Sequence, residues 1–249
     1  MENALRGFVP ESIKESAKSN FLLAGQVAKE GVLMSKETKL KILVSSVVFG
    51  YEDLLESVYA LLTEFGYEVL MSHKGTVPVD PGISAMSSCL EAVRDCHLFL
   101  GIILPRYGSG REEKDALSIT HREVLHAIKL NKPRWFLVHE NVAIARQLLN
   151  PYRDPNAISS FRLKPEIQFE KTPILEDLRI LDIFEKAMDL DTAEIKHRRS
   201  NWVQTYGPDD DARLFTTAQF RRYRELAEKY LPRLKDTQAI RRNINGGQL

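Results

Sequence analysis

Glu123 is the side chain of this sequence best placed to do chemistry. Just upstream, His97–Ile103 (HLFLGII) is a short apolar run without alternation, the pattern of a strand buried on both faces of a parallel sheet. A glycine-bearing loop follows, Arg106-Tyr107-Gly108-Ser109-Gly110, and then a helix that begins near Ser118 and stops before Pro133. Open α/β sheets bind ligands beyond the carboxyl ends of their strands. A carboxylate one turn into the next helix faces that crevice. There it can attack an electrophilic carbon or stabilise positive charge developing beside it. Thr120, Glu123 and Ala127 share a stripe bordering the apolar face of Val124, Ala127 and Ile128, which places Glu123 at the edge of burial with its head free to enter a cleft. The alternative is a solvated glutamate paired with Lys129 or Arg122.

The elements around it must position that helix. Leu40–Ser46 (LKILVSS) reads as a first buried strand, and Tyr51–Phe65 as a helix with Leu54, Leu55, Val58, Leu61 and Leu62 at helical spacing. Gly66 supplies the helix stop. Tyr67–Met71 is a second strand, followed by a Gly/Pro/Asp-rich loop (HKGTVPVDPG) and a helix over Ser84–Cys96. His97–Ile103 is the third strand and Arg134–His139 (RWFLVH) the fourth. This alternation demands parallel βαβ crossovers. Further on, Val142–Leu149 and Ile174–Met188 read as helices around a proline-bearing connection at 151–172. Asn201–Tyr206 (NWVQTY) suits an edge strand, and Asp209–Leu231 a closing helix. The expected fold is α/β: a flavodoxin-like, doubly wound, five-stranded parallel sheet with a helical insertion before its last strand. Residues 1–38 form an N-terminal arm in which Ile13, Ala17 and Phe21 suggest one short helix. Residues 39–232 form the domain, with the insertion at about 150–200, and 233–249 a frayed tail.

Composition excludes several function classes. The 249 residues carry 35 Lys+Arg against 34 Asp+Glu, a net charge of +1, so no global field recruits nucleic acid or anionic membrane. His197-Arg198-Arg199 and Arg221, Arg222 and Arg224 read as solvated surface under that balance. No apolar run approaches a membrane span, and the first residues lack a basic segment followed by an apolar stretch. A cytoplasmic protein is expected. Cys89 and Cys96 suit buried thiols in a reducing compartment better than a disulfide. The six histidines show no zinc spacing, and no metal is expected.

Three stretches together, KILVSSVVFGYEDLLESVYALLTEFGYEVLMS, DPGISAMSSCLEAVRDCHLFLGIILPRYGSG and SITHREVLHAIKLNKPRWFLVHENVAIARQLLN, resemble a known family. It is the TIR-like domain of unknown function numbered four-zero-six-two, and DLRILDIFEKA and NWVQTY are similar to its later segments. That family resembles TIR domains that cleave NAD and nucleoside 2-deoxyribosyltransferases. Both relatives use a glutamate on the helix after the third strand at a ribosyl centre. Here Glu123-Val-Leu-His-Ala127 and Asn131-Lys132-Pro133 match the transferase spacing, whereas Ser118–Arg122 departs from both patterns. The resemblance implies cleavage or transfer at an N-glycosidic bond of NAD, a nucleotide or a nucleoside. Glu123 would be the catalytic nucleophile or the stabiliser of an oxocarbenium-like state. It further implies toxin or phage-defence effectors, homo-oligomeric assembly, and no required cofactor beyond a nucleotide substrate. The competing expectation is a non-catalytic module that senses a nucleotide or assembles with partners.

Around Glu123, each candidate ligand residue has two readings. Ser45 and Ser46 end the first strand, where they line the pocket near a phosphate or cap the next helix. Asp80 contacts a ribose hydroxyl or forms an Asp-Pro-Gly turn. Arg106 and Tyr107, beside Gly108, contact a phosphate or stack on a base, or else form an ordinary exposed loop. Thr120 lies on the Glu123 stripe. His139 is a general acid or a satisfied strand-end histidine.

Overall fold

The computed structural model describes residues 39–109, 116–157, 160–189 and 202–232. Five strands, β1 (Lys41–Ser46), β2 (Glu68–Leu70), β3 (Leu98–Ile103), β4 (Arg134–His139) and β5 (Trp202–Tyr206), form one sheet in the order β2-β1-β3-β4-β5. Every pairing is parallel. The fold is α/β and flavodoxin-like. Strand order reverses between β1 and β3, so the chain leaves those two strands in opposite directions and a crevice opens at their carboxyl ends.

Helices cover both faces. α1 (Glu52–Glu64) and α6 (Asp209–Phe220) bury Leu54, Val58, Ala212 and Phe215 against Ile42, Leu100 and Leu137. The other face carries α2 (Ala85–Asp95), α3 (Ile119–Lys129), α4 (Glu140–Leu149) and α5 (Arg179–Ala187), packed on Leu43, Phe99 and Phe136. With both faces covered, β3 is buried at all six positions, which explains its unbroken apolar sequence. Ser45, Gly101 and Phe136 lie in register across the α2–α3 face. A Cβ on Gly101 would fall 2.6 Å from the Phe136 ring, so glycine is what lets that ring pack against this position of β3. Gly66 ends α1 with φ +100°.

Two helices differ from expectation. The closing helix is broken: α6 ends at Phe220, and a further helix, α7, runs over 223–232. The Tyr67 hydroxyl donates to the Phe220 carbonyl at 3.1 Å, and the Tyr223 hydroxyl accepts the Leu40 N–H at 3.0 Å. Long-range partners thus replace the helical ladder at the joint. The helix expected from Ile174 begins only at Arg179, because the Asp177 carboxylate accepts the Arg179 N–H at 2.9 Å and Glu176 turns away toward Tyr107. The expected arm at 1–38, the tail at 233–249 and the basic residues 197–199 lie outside the described residues. No helix among the described residues is long and apolar enough to cross a membrane.

Candidate active site

At the reversal of strand order lies a cavity of about 620 Å³ whose lining includes Ser46, Cys89, Arg106, Thr120, Glu123 and Glu176. This volume falls within the ~300–1,000 Å³ typical of small-molecule sites. Its parts come from six places: the end of β1 and the loop after it, Ser72 after β2, the first half of α2, the loop after β3, the first turns of α3, and Glu176 of the insertion. Ser118 caps α3 by accepting the His121 N–H at 3.3 Å, which sets the register that points Glu123 inward.

Glu123 is only 6% exposed, deeper than the edge position expected from the helix stripe. Its partners are neither Lys129 nor Arg122. Ser45 Oγ donates to Glu123 Oε2 at 2.5 Å, and the Cys89 thiol also bonds the carboxylate. Burial pushes the Glu123 carboxyl up to about 7, partly offset by those two donors. The effect is reciprocal at Cys89, where burial and the Glu123 charge push the thiol up to about 11. Near neutral pH the site therefore holds a carboxyl poised between its two forms beside a thiol that stays protonated.

The candidate residues divide. Ser46, Arg106, Gly108 and Thr120 line the cavity with Glu123. Ser45 is 2% exposed and lies behind Glu123 as its hydrogen-bond donor, in place of the expected pocket-lining position. Tyr107 is not a stacking platform. It is 1% exposed, its hydroxyl is 2.9 Å from His121 Nδ1, and the Arg179 guanidinium lies 4.3 Å from its ring centroid. Burial, followed by the Arg179 charge, lowers the His121 pKa to about 4, so this histidine is a neutral partner of Tyr107. Asp80 sits in an exposed turn and accepts the Gly82 N–H at 2.8 Å, outside the cavity lining. His139 also lies outside that lining. It caps α4 by accepting the Asn141 N–H at 3.2 Å, packed between the rings of Tyr51 and Tyr206.

Among the cavity residues that the sequence reading does not single out, two carry ionisable side chains, Cys89 and Glu176. The sequence marks Cys89 only as a buried thiol, and its signal is its position on the helix that packs against α3. Glu176 comes from the insertion, and no local pattern marks it. It accepts the Tyr107 N–H at 2.8 Å, while its own N–H donates to the Pro105 carbonyl at 3.1 Å. The insertion thus latches onto the loop after β3 and delivers a second carboxylate to the cavity wall.

Fold and site together define a flavodoxin-like α/β protein with a buried carboxylate in the crevice at its reversal of strand order. The chain belongs to the family described as Domain of unknown function (DUF4062), whose model matches residues 41–197. Among solved structures, it is similar over part of its length to the Clostridium botulinum CMP N-glycosidase BcmB. That match has 18% identity, covers 44% of this chain and 81% of that one, and has a TM-score of 0.29. It is also similar to the 2-deoxyribosyltransferase of the psychrotolerant bacterium Bacillus psychrosaccharolyticus, at 22% identity, 39% and 72% coverage, and a TM-score of 0.28. Among curated proteins none matches.

Proposed function

We propose that this protein cleaves an N-glycosidic bond of a nucleoside or nucleotide, or transfers its sugar, with the Glu123 carboxylate at the anomeric carbon. The supporting observation is Glu123 itself, a nearly buried carboxylate on the wall of a small-molecule-sized cavity, held by Ser45 and ion-paired with no cation among the described residues. As the bond to the base lengthens, positive charge grows on the anomeric carbon. A carboxylate walled by protein attracts that charge more strongly than one in water. It either stabilises the charge or closes on the carbon to give a ribosyl-enzyme that water or an acceptor base resolves. The Ser45 hydrogen bond fixes the carboxylate before substrate arrives, so little ordering is left for the reacting state.

NAD belongs on the list of candidate substrates. In the setting implied by the resemblance, the activity would serve a toxin or phage-defence effector. It would act in the cytoplasm as a homo-oligomer, with no cofactor beyond the substrate. The competing reading is a module that binds a nucleotide in the same cavity without turning it over.

The test is incubation of the full chain with NAD, nucleosides and nucleotides across a protein concentration series, with base release followed by chromatography. The expected result is release that falls by at least about 100-fold in Glu123→Gln while ligand binding survives. Absence of release from every substrate at every concentration favours the binding module.

A further inference from the structure

We propose that the cavity reads a phosphate through Arg106, so that its ligand is a nucleoside 5′-phosphate in preference to a free nucleoside. The inference rests on the glycosidic reading above and names the substrate class for that same cavity.

Arg106 lines the cavity, half-buried, and forms no hydrogen bond or ion pair with any described residue. Two carboxylates share that lining, yet neither is paired with it. Glu123 is held by Ser45 and Glu176 by the Tyr107 N–H. Other arginines of the same face are committed: Arg179 to Asp177 at 2.6 Å, and Arg146 and Arg153 to Glu185 at 3.0 and 3.1 Å. A guanidinium has five N–H donors in a fork that matches phosphate oxygens. One turned into a concave site with no ion-pair partner among the described residues is paired best by an anionic ligand.

The wall beside Arg106 carries more unspent donors. The Gly108 and Ser109 amides have no hydrogen-bond partner among the described residues. Gly108 has φ +83°, and a Cβ there would fall 2.9 Å from Val47 Cγ2, so glycine is what lets the loop lie against that residue. A left-handed residue of this kind allows successive amides to converge on one anion. Ile119 and Thr120, the first two helical residues of α3, also line the cavity. Their N–H groups precede the helical ladder, and the Ser118 side chain is engaged by the His121 N–H and by Tyr107. Thr120 stands three residues before Glu123, roughly 4.5 Å along the helix axis. A sugar ring spans a similar gap between its 5′-phosphate and its anomeric carbon. A phosphate at Arg106, Ser109 and Thr120 therefore brings the glycosidic bond toward Glu123, whereas a free nucleoside leaves those donors unmet.

The experiment is titration calorimetry on the full chain carrying Glu123→Gln, which blocks turnover. The probes are AMP, CMP, GMP and UMP, the four matching nucleosides, and inorganic phosphate. Each is repeated with Arg106→Ala or Arg106→Lys added. At least one monophosphate should bind 10-fold or more tighter than its nucleoside. Arg106→Ala should weaken that monophosphate by about 10–100-fold and its nucleoside by less than about twofold, with Arg106→Lys in between. Inorganic phosphate should bind more weakly than the preferred monophosphate. Equal affinity for nucleoside and monophosphate, a preference indifferent to both Arg106 variants, or no monophosphate binding at all overturns the proposal. Tighter binding of inorganic phosphate than of any monophosphate also overturns it. Phosphate preference in a protein that turns nothing over keeps the Arg106 assignment and sinks the glycosidic reading. Base release from nucleosides with no phosphate preference does the reverse.

Discussion

Glu123 and His139 both stand at the carboxyl end of the sheet, and their surroundings are built in opposite ways. Glu123 projects from α3 into a cavity, held from behind by Ser45 and from the cavity wall by Cys89. His139 ends β4 with its ring edge-on to Tyr51 and Tyr206, at centroid distances of 5.9 and 5.5 Å, and its Nδ1 spent on capping α4. Burial pushes each toward its neutral form, raising the carboxyl and lowering the imidazole. The neutral histidine has a structural bond to make, whereas the carboxyl faces open volume. A shifted pKa alone does not separate a site from a scaffold. What separates them is whether the shifted group is aimed at space a ligand can fill.

The sharpest break of that comparison is turnover. Glu123→Gln should lose base release by about 100-fold or more, while His139→Asn, which keeps a side-chain cap, should stay within about threefold. Equal losses at both positions in a steady-state assay would merge the two regions.

Stability against pH comes next, and the two groups tilt it in opposite directions. Glu123 is raised in the folded state, so its contribution is full below the unfolded carboxyl value and fades as pH rises through about 7. His139 is lowered, so its contribution is full above the unfolded imidazole value and fades as pH falls. Urea unfolding at pH 5 and pH 8 should show Glu123→Gln gaining on the parent protein at the higher pH, by on the order of 3 kcal/mol. A constant difference between the two pH values would mean that the carboxyl is ordinary.

The smallest effect concerns the two donors to the carboxylate. Ser45→Ala should move the rising limb of the kcat/KM–pH profile, expected near pH 7, upward by about one unit. Cys89→Ala should move it less in the same direction, and Cys89→Ser should restore it. Lower activity with an unmoved midpoint would make both residues packing elements.

Much of this molecule is legible in one dimension. β1 through β4 and the helices between them follow from apolar runs, helical spacing and the Gly66 stop. α3 begins at Ile119, beside the expected start near Ser118. The elements that escaped are those decided by distant partners. The break after Phe220 depends on Tyr67, some 150 residues earlier in sequence. The late start of α5 depends on Asp177 and on the pull of Tyr107 upon Glu176.

The same boundary runs through the site. Residue types and spacing by themselves determined a parallel α/β sheet and placed Glu123 one turn into the helix after β3, because helical and strand periodicity are local properties. Only the tertiary structure decided that Glu123 is buried against Ser45, that Tyr107 belongs to the core, and that Cys89 and Glu176 join Arg106 around one cavity. Those outcomes depend on which elements the strand order brings together, and on how far each side chain is withdrawn from water once they meet.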